Sequence, residues 1–129
     1  MKYFFLLFII ITVLSIALFL SERKFQSVKT VAKSYDKWTN DKILESLWGE
    51  HIHLGFYKKS IKPSFKEAKV LFVHELVKWS GLSKLKKGSK ILDLGCGIGG
   101  SSRILSQYYG FEVIGVTISP EQVKRAREL

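Results

Sequence analysis

A glycine-rich turn directly after an aspartate is the segment of this sequence best suited to hold a ligand. Asp93 stands two residues before Gly95, and Gly97, Gly99 and Gly100 follow within the next five positions. Backbone without side chains can approach a ligand closely, and its N–H groups, together with a following helix N-terminus, favour anionic groups. A carboxylate at the start of the turn would instead face a cationic group. The pattern therefore favours a ligand that carries both signs of charge.

Two cofactors can be weighed against this turn. Gly95, Gly97 and Gly100 satisfy the spacing G-x-G-x-x-G of dinucleotide sites, which usually have an acid about 20 residues beyond the first glycine for the ribose. The matching position is Thr117, which is uncharged. S-adenosylmethionine has ammonium and sulfonium cations beside a carboxylate, so it suits the turn after Asp93 better. An NAD-dependent protein remains the alternative, whereas a phosphate loop is excluded because no Lys-Ser or Lys-Thr pair follows the glycines.

Two histidines and the single cysteine are the other candidates for chemistry. His51 and His53 could orient or deprotonate a substrate hydroxyl. No Asp, Cys or third His stands at ligand spacing from them, so we predict no metal site. Cys96 has no partner base in the sequence, which favours a packed thiol over a nucleophile. One cysteine also excludes an internal disulfide scaffold.

The ligand turn lies within a predicted unit of strand, helix, strand and helix. Residues 91–94 are a short apolar run typical of a buried parallel strand, and residues 101–109 carry apolar side chains at helical spacing. Residues 112–117 form the next strand, after which Ser119 and Gln122 make the capping box of a helix. Parallel strands joined by a crossover helix indicate a doubly wound α/β fold, whose ligands lie outside the carboxyl ends of the strands.

Short amphipathic helices are predicted upstream of this unit. Apolar residues recur at helical spacing over residues 28–38 and 43–48, and Ser64 with Glu67 makes the capping box of a third helix. The default location of the tryptophans is the apolar face of these helices. These are Trp38, Trp48 and Trp79. The lysines of the third helix are expected to face solvent or lipid headgroups. These are Lys66, Lys69 and Lys78.

An uncharged segment over residues 3–20 predicts where the chain resides. At about 1.5 Å per residue it extends about 27 Å, close to a hydrocarbon core of about 30 Å. We therefore predict a membrane-anchor helix, with a cleaved signal peptide as the alternative. Downstream cations, including Arg23 and Lys24, place the remaining chain on the cytoplasmic side.

The charge of the chain predicts an anionic neighbour. There are 21 Lys and Arg residues against 11 Asp and Glu residues, a net charge of +10. An anchored chain would hold its basic residues against anionic lipid headgroups. Nucleic acid is not predicted as a partner because no recognised binding module accompanies the charge.

Several segments together resemble a known family. Residues 93–102 look like the first motif of class I S-adenosylmethionine-dependent methyltransferases. Residues 113–122 resemble the second-strand segment of the branch that contains the tocopherol methyltransferases and the cyclopropane fatty acid synthases. Residues 35–38, residues 48–57 and the apolar amino-terminal segment are most similar to the cyanobacterial 2-methyl-6-phytylbenzoquinol methyltransferases.

The resemblance implies a methyltransferase that acts on a membrane-resident prenylated quinol in plastoquinone and tocopherol synthesis. It places the anchor in an inner or thylakoid membrane. It implies S-adenosylmethionine contacts for Tyr35, Asp93, Gly95, Gly97, Gly99, Gly100, Thr117, Ile118 and Gln122. It implies substrate contacts for His51, His53 and Tyr57. No catalytic base is assigned.

The predicted fold class is α/β, in three segments. These are a membrane anchor at residues 3–20, a helical cap region with a basic connector at 21–88, and an incomplete Rossmann-like domain at 89–129. Because the family builds a seven-stranded sheet, the sequence is expected to be the amino-terminal portion of a methyltransferase. The alternatives are a tocopherol O-methyltransferase-like or cyclopropane fatty acid synthase-like enzyme, a non-catalytic membrane-anchored remnant, and an NAD-dependent oxidoreductase fragment.

Overall fold

The chain is mostly helical, with two short strands in its last third. The computed structural model describes residues 2–20, 25–58, 60 and 62–129. Its helices are α1 (Lys2–Leu20), α2 (Val28–Asn40), α3 (Ile43–Trp48), α4 (Phe65–Trp79), α5 (Gly100–Tyr109) and α6 (Pro120–Glu128). Its strands are β1 (Lys90–Leu94) and β2 (Glu112–Val116), and a 3-10 turn covers Leu82–Lys84.

The two strands form a parallel pair joined by α5. Asp93 is level with Gly115, and Leu94 is level with Val116. Because the strands run in the same direction, both of their carboxyl ends lie at one edge of the sheet. The turn that begins at Gly95 and the turn that begins at Thr117 are therefore neighbours, as expected for a ligand site in an α/β unit.

The hydrophobic core lies between α4, α5 and the entry to β2. An isoleucine and a leucine of α5 pack against two valines that are one turn apart on α4. A phenylalanine just before β2 completes the cluster. The residues are Val73, Val77, Ile104, Leu105 and Phe111. This core fixes the position of α5, whose first turn follows the glycine-rich segment.

Helix α4 begins as predicted but turns a different face inward. The capping box is present, because Ser64 Oγ accepts a hydrogen bond from the Glu67 N–H at 3.3 Å and the Glu67 carboxylate accepts one from the Ser64 N–H at 2.8 Å. The buried residues of the helix include Ala68 and Lys69, so the prediction of a solvated Lys69 is wrong. Trp79, expected in the core, is 85% exposed.

Helices α2 and α3 are held on α6 by two carboxylates. Asp36 Oδ1 accepts hydrogen bonds from Ser119 Oγ at 2.5 Å and from the backbone N–H of Glu121 at 3.2 Å. Glu45 pairs with Arg125 through two N–H groups, at 2.5 and 2.9 Å. A carboxylate at a helix N-terminus is stabilised by the free N–H groups and the helix dipole. These links connect the helical segment to the end of the α/β unit.

The prediction of a membrane helix is wrong, and the fold class is corrected accordingly. None of the helices that the structure describes combines the length and the apolar character that a membrane span requires. The described chain is instead helical with a small parallel sheet. Arg23 and Lys24, which favoured the cytoplasmic side, lie outside the described residues. The location of the chain on that side stays a prediction. The boundaries of the three predicted segments also stay predictions.

Candidate functional site

A cavity of about 450 Å³ opens at the carboxyl edge of the two strands. Sites for small molecules commonly enclose about 300 to 1,000 Å³. The predicted site residues that line it are Tyr35, His51, His53, Asp93, Gly95, Gly97, Thr117, Ile118 and Gln122. The lining residues that sequence reasoning missed are Glu50, Ile52, Cys96, Ile98, Ser101 and Val116. Each of these adjoins a predicted residue in the sequence, and that adjacency is the signal that could have found them.

Bare backbone forms one wall of the cavity. Gly95 and Gly97 have φ angles of +79° and +57°, and a Cβ at either position would meet no atom within 4 Å. The N–H groups of Gly95 and Cys96 both donate to the carbonyl of Val116, at 2.8 and 3.1 Å, which ties the turn to the end of β2. Within the described residues, the N–H groups of Gly97 and Ile98 have no acceptor. Two backbone donors are therefore available at this turn.

Asp93 supplies a carboxylate beside these donors. Its Oδ2 accepts a hydrogen bond from Ser102 Oγ at 2.6 Å. No described residue donates to its other oxygen, which leaves one acceptor available at the cavity. The site therefore combines one anionic side chain with bare N–H groups, the combination predicted from the sequence.

Cys96 is a packed thiol. Its Sγ lies over Gly115, where an added Cβ would approach the sulfur to 2.8 Å. Burial raises the pKa of the Cys96 thiol, and the nearby Asp93 charge raises it further. A thiol that stays protonated is a poor nucleophile, which agrees with the structural role predicted for it.

The end of the second strand is neutral. Thr117 Oγ1 donates to Gln122 Oε1 at 2.6 Å and accepts the N–H of Ser119 at 3.3 Å. Gln122 is only 4% exposed, and no described residue accepts from its side-chain amide nitrogen. Ile118 adds an apolar, half-exposed side chain. This edge offers hydrogen bonds and an apolar contact but no charge.

Tyr35 reaches the cavity because its neighbour Asp36 fastens α2 to the N-terminus of α6. The Tyr35 ring makes an edge-on contact with Trp38, with ring centroids 5.3 Å apart. Sequence reasoning missed Asp36. The only signal was the N-terminus of α6, where the N–H groups that Ser119 does not cap need a further acceptor.

A buried lysine supports the loop that carries His51. Lys69 is 1% exposed, and its Nζ donates to the carbonyls of Trp48 and His51 at 2.8 and 2.7 Å. The ammonium also lies 4.1 Å from the ring centroid of Phe65. Burial lowers the pKa of Lys69. The loop carbonyls thus replace much of the water that the ammonium loses.

We expect Lys69→Ala to lower the free energy of unfolding by about 2 to 4 kcal/mol, since it leaves two loop carbonyls without a donor and opens a cavity beneath an aromatic ring. Lys66→Ala, at an exposed position of the same helix, should change it by less than about 0.5 kcal/mol. Urea denaturation followed by circular dichroism measures both. Equal effects of the two changes would show that Lys69 does not support the loop.

Three predicted residues lie outside the cavity lining. Gly99, with a φ of +84°, precedes α5, and an added Cβ there would approach Arg103 to 3.1 Å. A Cβ at Gly100 would meet the carbonyl oxygen of Glu50 at 2.6 Å, so this glycine allows the loop to pack on α5. Tyr57 is 57% exposed.

Comparison with known proteins identifies the family. The family model described as "Mycolic acid cyclopropane synthetase" matches residues 22–129. The chain belongs to this family. The resemblance predicted from the sequence, to the methyltransferase branch that includes the cyclopropane synthases, is thereby confirmed.

Two curated relatives of this chain are named as methyltransferases. The chain is 55% identical over 111 residues to the 2-methyl-6-phytyl-1,4-hydroquinone methyltransferase of Synechocystis, which covers 85% of the chain and 35% of the relative. It is 40% identical over 109 residues to the chloroplastic tocopherol O-methyltransferase of Arabidopsis thaliana, covering 78% of the chain and 31% of the relative. The chain therefore spans about a third of the length of these relatives.

Two solved structures share the fold of this family member. One is a putative sarcosine dimethylglycine methyltransferase from Galdieria sulphuraria, with a TM-score of 0.60 and 32% identity, covering 73% of the chain and 36% of that protein. The other is the [4+2]-cyclase SpnF, with a TM-score of 0.69, which covers 84% of the chain and 39% of that protein. At 24% identity, the second shows the fold alone.

Proposed function

We propose that the cavity binds S-adenosylmethionine and that the protein transfers its methyl group to a lipid-soluble prenylated quinol. The substrate class is supported by the 55% identity to a relative named 2-methyl-6-phytyl-1,4-hydroquinone methyltransferase. The cofactor is supported by the cavity itself.

The observation that carries the proposal is the available carboxylate oxygen of Asp93 beside the bare backbone of Gly95 and Gly97. A carboxylate would accept hydrogen bonds from the ammonium of the methionine end. The available N–H groups of Gly97 and Ile98 would donate to its carboxylate. The residues present therefore fit a ligand that carries both charges on one small group.

The neutral strand end fits the nucleoside half of the same ligand. Thr117 and Gln122 would offer hydrogen bonds to the ribose and adenine, and Ile118 would offer an apolar surface. Tyr35 would close on the ligand from α2. An NAD site usually has an acid at this strand end to bind the ribose. Thr117 stands there instead, which disfavours NAD as the ligand.

When bound, S-adenosylmethionine supplies an electrophilic methyl group on a sulfonium. The contribution of the chain is to hold the ligand on two rigid turns and to shield it from water with Tyr35 and the loop that bears His51. Holding two reactants in a fixed orientation can supply several kcal/mol of the barrier reduction. The proposed catalysis is therefore mainly positional.

We also propose that anionic lipid headgroups bring the protein to its substrate. The net charge of +10 supports this association, since each Lys or Arg close to an anionic surface contributes about 1 kcal/mol. A lipid-soluble quinol would then be concentrated where the protein binds.

Transfer of radiolabel from the cofactor to the quinol tests the proposed reaction. Labelled S-adenosylmethionine is incubated with 2-methyl-6-phytyl-1,4-hydroquinone in lipid vesicles, and label is counted in the organic extract. We expect label in the quinol fraction that depends on both the protein and the quinol. Cofactor binding without label transfer would contradict the proposed substrate.

Substitution of one glycine tests whether the cavity wall must be free of side chains to bind the cofactor. Gly97→Val places a β-branched side chain at a φ of +57°, which costs about 1 to 2 kcal/mol of backbone strain, and it fills the open space beside the turn. We expect the affinity for S-adenosylmethionine to fall at least about tenfold. Gly88→Val is the matched control, since Gly88 has a φ of +80° and equally open space but does not line the cavity. Equal losses in calorimetric titrations of both variants would mean that backbone strain alone explains the effect.

A further inference from the structure

The two histidines of the cavity wall form a hydrogen-bonded pair, in which the donor and the acceptor can be assigned. His53 Nδ1 lies 2.9 Å from the carbonyl oxygen of Leu54, and His53 Nε2 lies 3.2 Å from His51 Nδ1. The two rings meet edge to face, with centroids 5.0 Å apart. Both residues line the cavity that also contains Asp93.

The carbonyl of Leu54 determines the direction of this pair. A carbonyl oxygen only accepts, so His53 Nδ1 carries the proton and donates to it. A neutral imidazole has one donor and one acceptor nitrogen, so Nε2 is the acceptor when His53 is neutral. His51 Nδ1 must then donate to it. The remaining nitrogen, His51 Nε2, keeps a lone pair, and within the described chain no residue donates to it.

The surroundings of His51 favour its neutral form. Burial lowers the pKa of the His51 imidazole, and the cations Lys69 and Arg103 lower it further, whereas Glu50 opposes them. Glu50 is itself paired with Arg103 at 2.6 Å, which moderates its effect on the ring. These surroundings favour a neutral His51 ring, in which Nε2 keeps its lone pair when Nδ1 carries the proton.

We propose that His51 Nε2 is the proton acceptor of the cavity for a phenolic hydroxyl, and that His53 is the positioning residue that fixes its tautomer. The identity of the ligand as a quinol rests on the proposed function, whereas the tautomer rests only on the two hydrogen bonds. In the step, the O–H bond breaks, the electron pair stays on oxygen and an N–H bond forms at Nε2. The products are a phenolate and a His51 imidazolium adjacent to Glu50. A phenolate is a stronger nucleophile than its phenol, so this transfer favours attack on an electrophilic methyl group.

Nitrogen NMR of the ¹⁵N-labelled 129-residue chain measures the tautomer directly. The chain has three histidines, and His74, whose Nδ1 lies 2.8 Å from the Tyr109 hydroxyl, serves as an internal reference. At pH 7 we expect His51 with a protonated Nδ1 and an unprotonated Nε2. A proton on Nε2, alone or in an imidazolium, would overturn the proposal.

Substitutions separate the acceptor from its positioning residue. His53→Ala removes the partner of His51 Nδ1, so we expect the His51 tautomer to change to a mixture. His74→Phe is the matched control and should leave the His51 signals unchanged. An unchanged His51 tautomer in His53→Ala would overturn the positioning role.

Titration with methylhydroquinone tests the ligand class. We expect the probe to move the His51 Nε2 signal of the unsubstituted chain and to bind about fivefold more weakly to His51→Phe, the loss expected for one hydrogen bond. No movement of that signal at saturating probe would overturn the acceptor role. A failure of S-adenosylmethionine to bind would not affect this test, because the tautomer is measured in its absence.

Discussion

Replacing Asp93 by Asn will weaken the binding of S-adenosylmethionine about 10- to 100-fold. Asn keeps the shape of the side chain and an oxygen that can accept from Ser102, so the turn should remain in place. It removes the negative charge that would pair with the ammonium, and a hydrogen bond to a charged group contributes about 1.5 to 3 kcal/mol. Calorimetric titration of the 129-residue chain gives both affinities.

Asp41→Asn is the matched control for that measurement. Asp41 is an exposed acid after α2 and does not line the cavity. The same chemical change there should leave the affinity within about twofold. Unchanged affinity in Asp93→Asn, or equal losses in the two variants, would contradict the assignment of the carboxylate.

Replacing Asp36 by Ala will lower the free energy of unfolding by about 2 to 3 kcal/mol. The change removes the carboxylate that accepts from the buried Ser119 hydroxyl and from the Glu121 N–H at the start of α6. It leaves a hydroxyl that is 0% exposed without its acceptor, and it removes an anion from a helix N-terminus. Urea denaturation followed by circular dichroism measures the loss.

A double-mutant cycle assigns that loss to the contact. If Asp36 acts through Ser119, the destabilisation of Asp36→Ala with Ser119→Ala will be less than the sum of the single effects by about 1 kcal/mol. Additive effects would show that the two side chains do not act together. We also expect weaker cofactor binding in Asp36→Ala, because the adjacent Tyr35 loses its anchor on α6.

The segment from β1 to α6 was predictable because its signals are local. A short apolar run, a glycine turn and the Ser119-Pro120 start of a helix each occupy consecutive residues, and the carboxyl ends of parallel strands necessarily meet at one edge. Only the Ser119 half of the capping box predicted at α6 forms, because the Gln122 side chain and the Ser119 N–H both bond to Thr117 instead. Asp93 and Thr117, which the resemblance implied as cofactor contacts, stand at the ends of these two strands, and both line the cavity.

Long-range packing explains what could not be predicted. Asp36 contacts Ser119 across 83 positions of the sequence, and no local pattern marks that contact. Lys69 occupies a position where composition favours a solvated side chain, and only the folded loop supplies the carbonyls that allow its burial. The uncharged residues of α1 indicated a membrane span by composition, yet none of the described helices is long and apolar enough.

Equilibrium dialysis of the 129-residue chain against labelled S-adenosylmethionine, with NAD in a parallel cell, tests the central claim most directly. We predict saturable binding of one S-adenosylmethionine per chain and none of NAD, since the cavity combines one carboxylate with bare N–H groups and has a neutral second strand end. A folded chain that binds NAD, or that binds neither compound, would contradict the proposal.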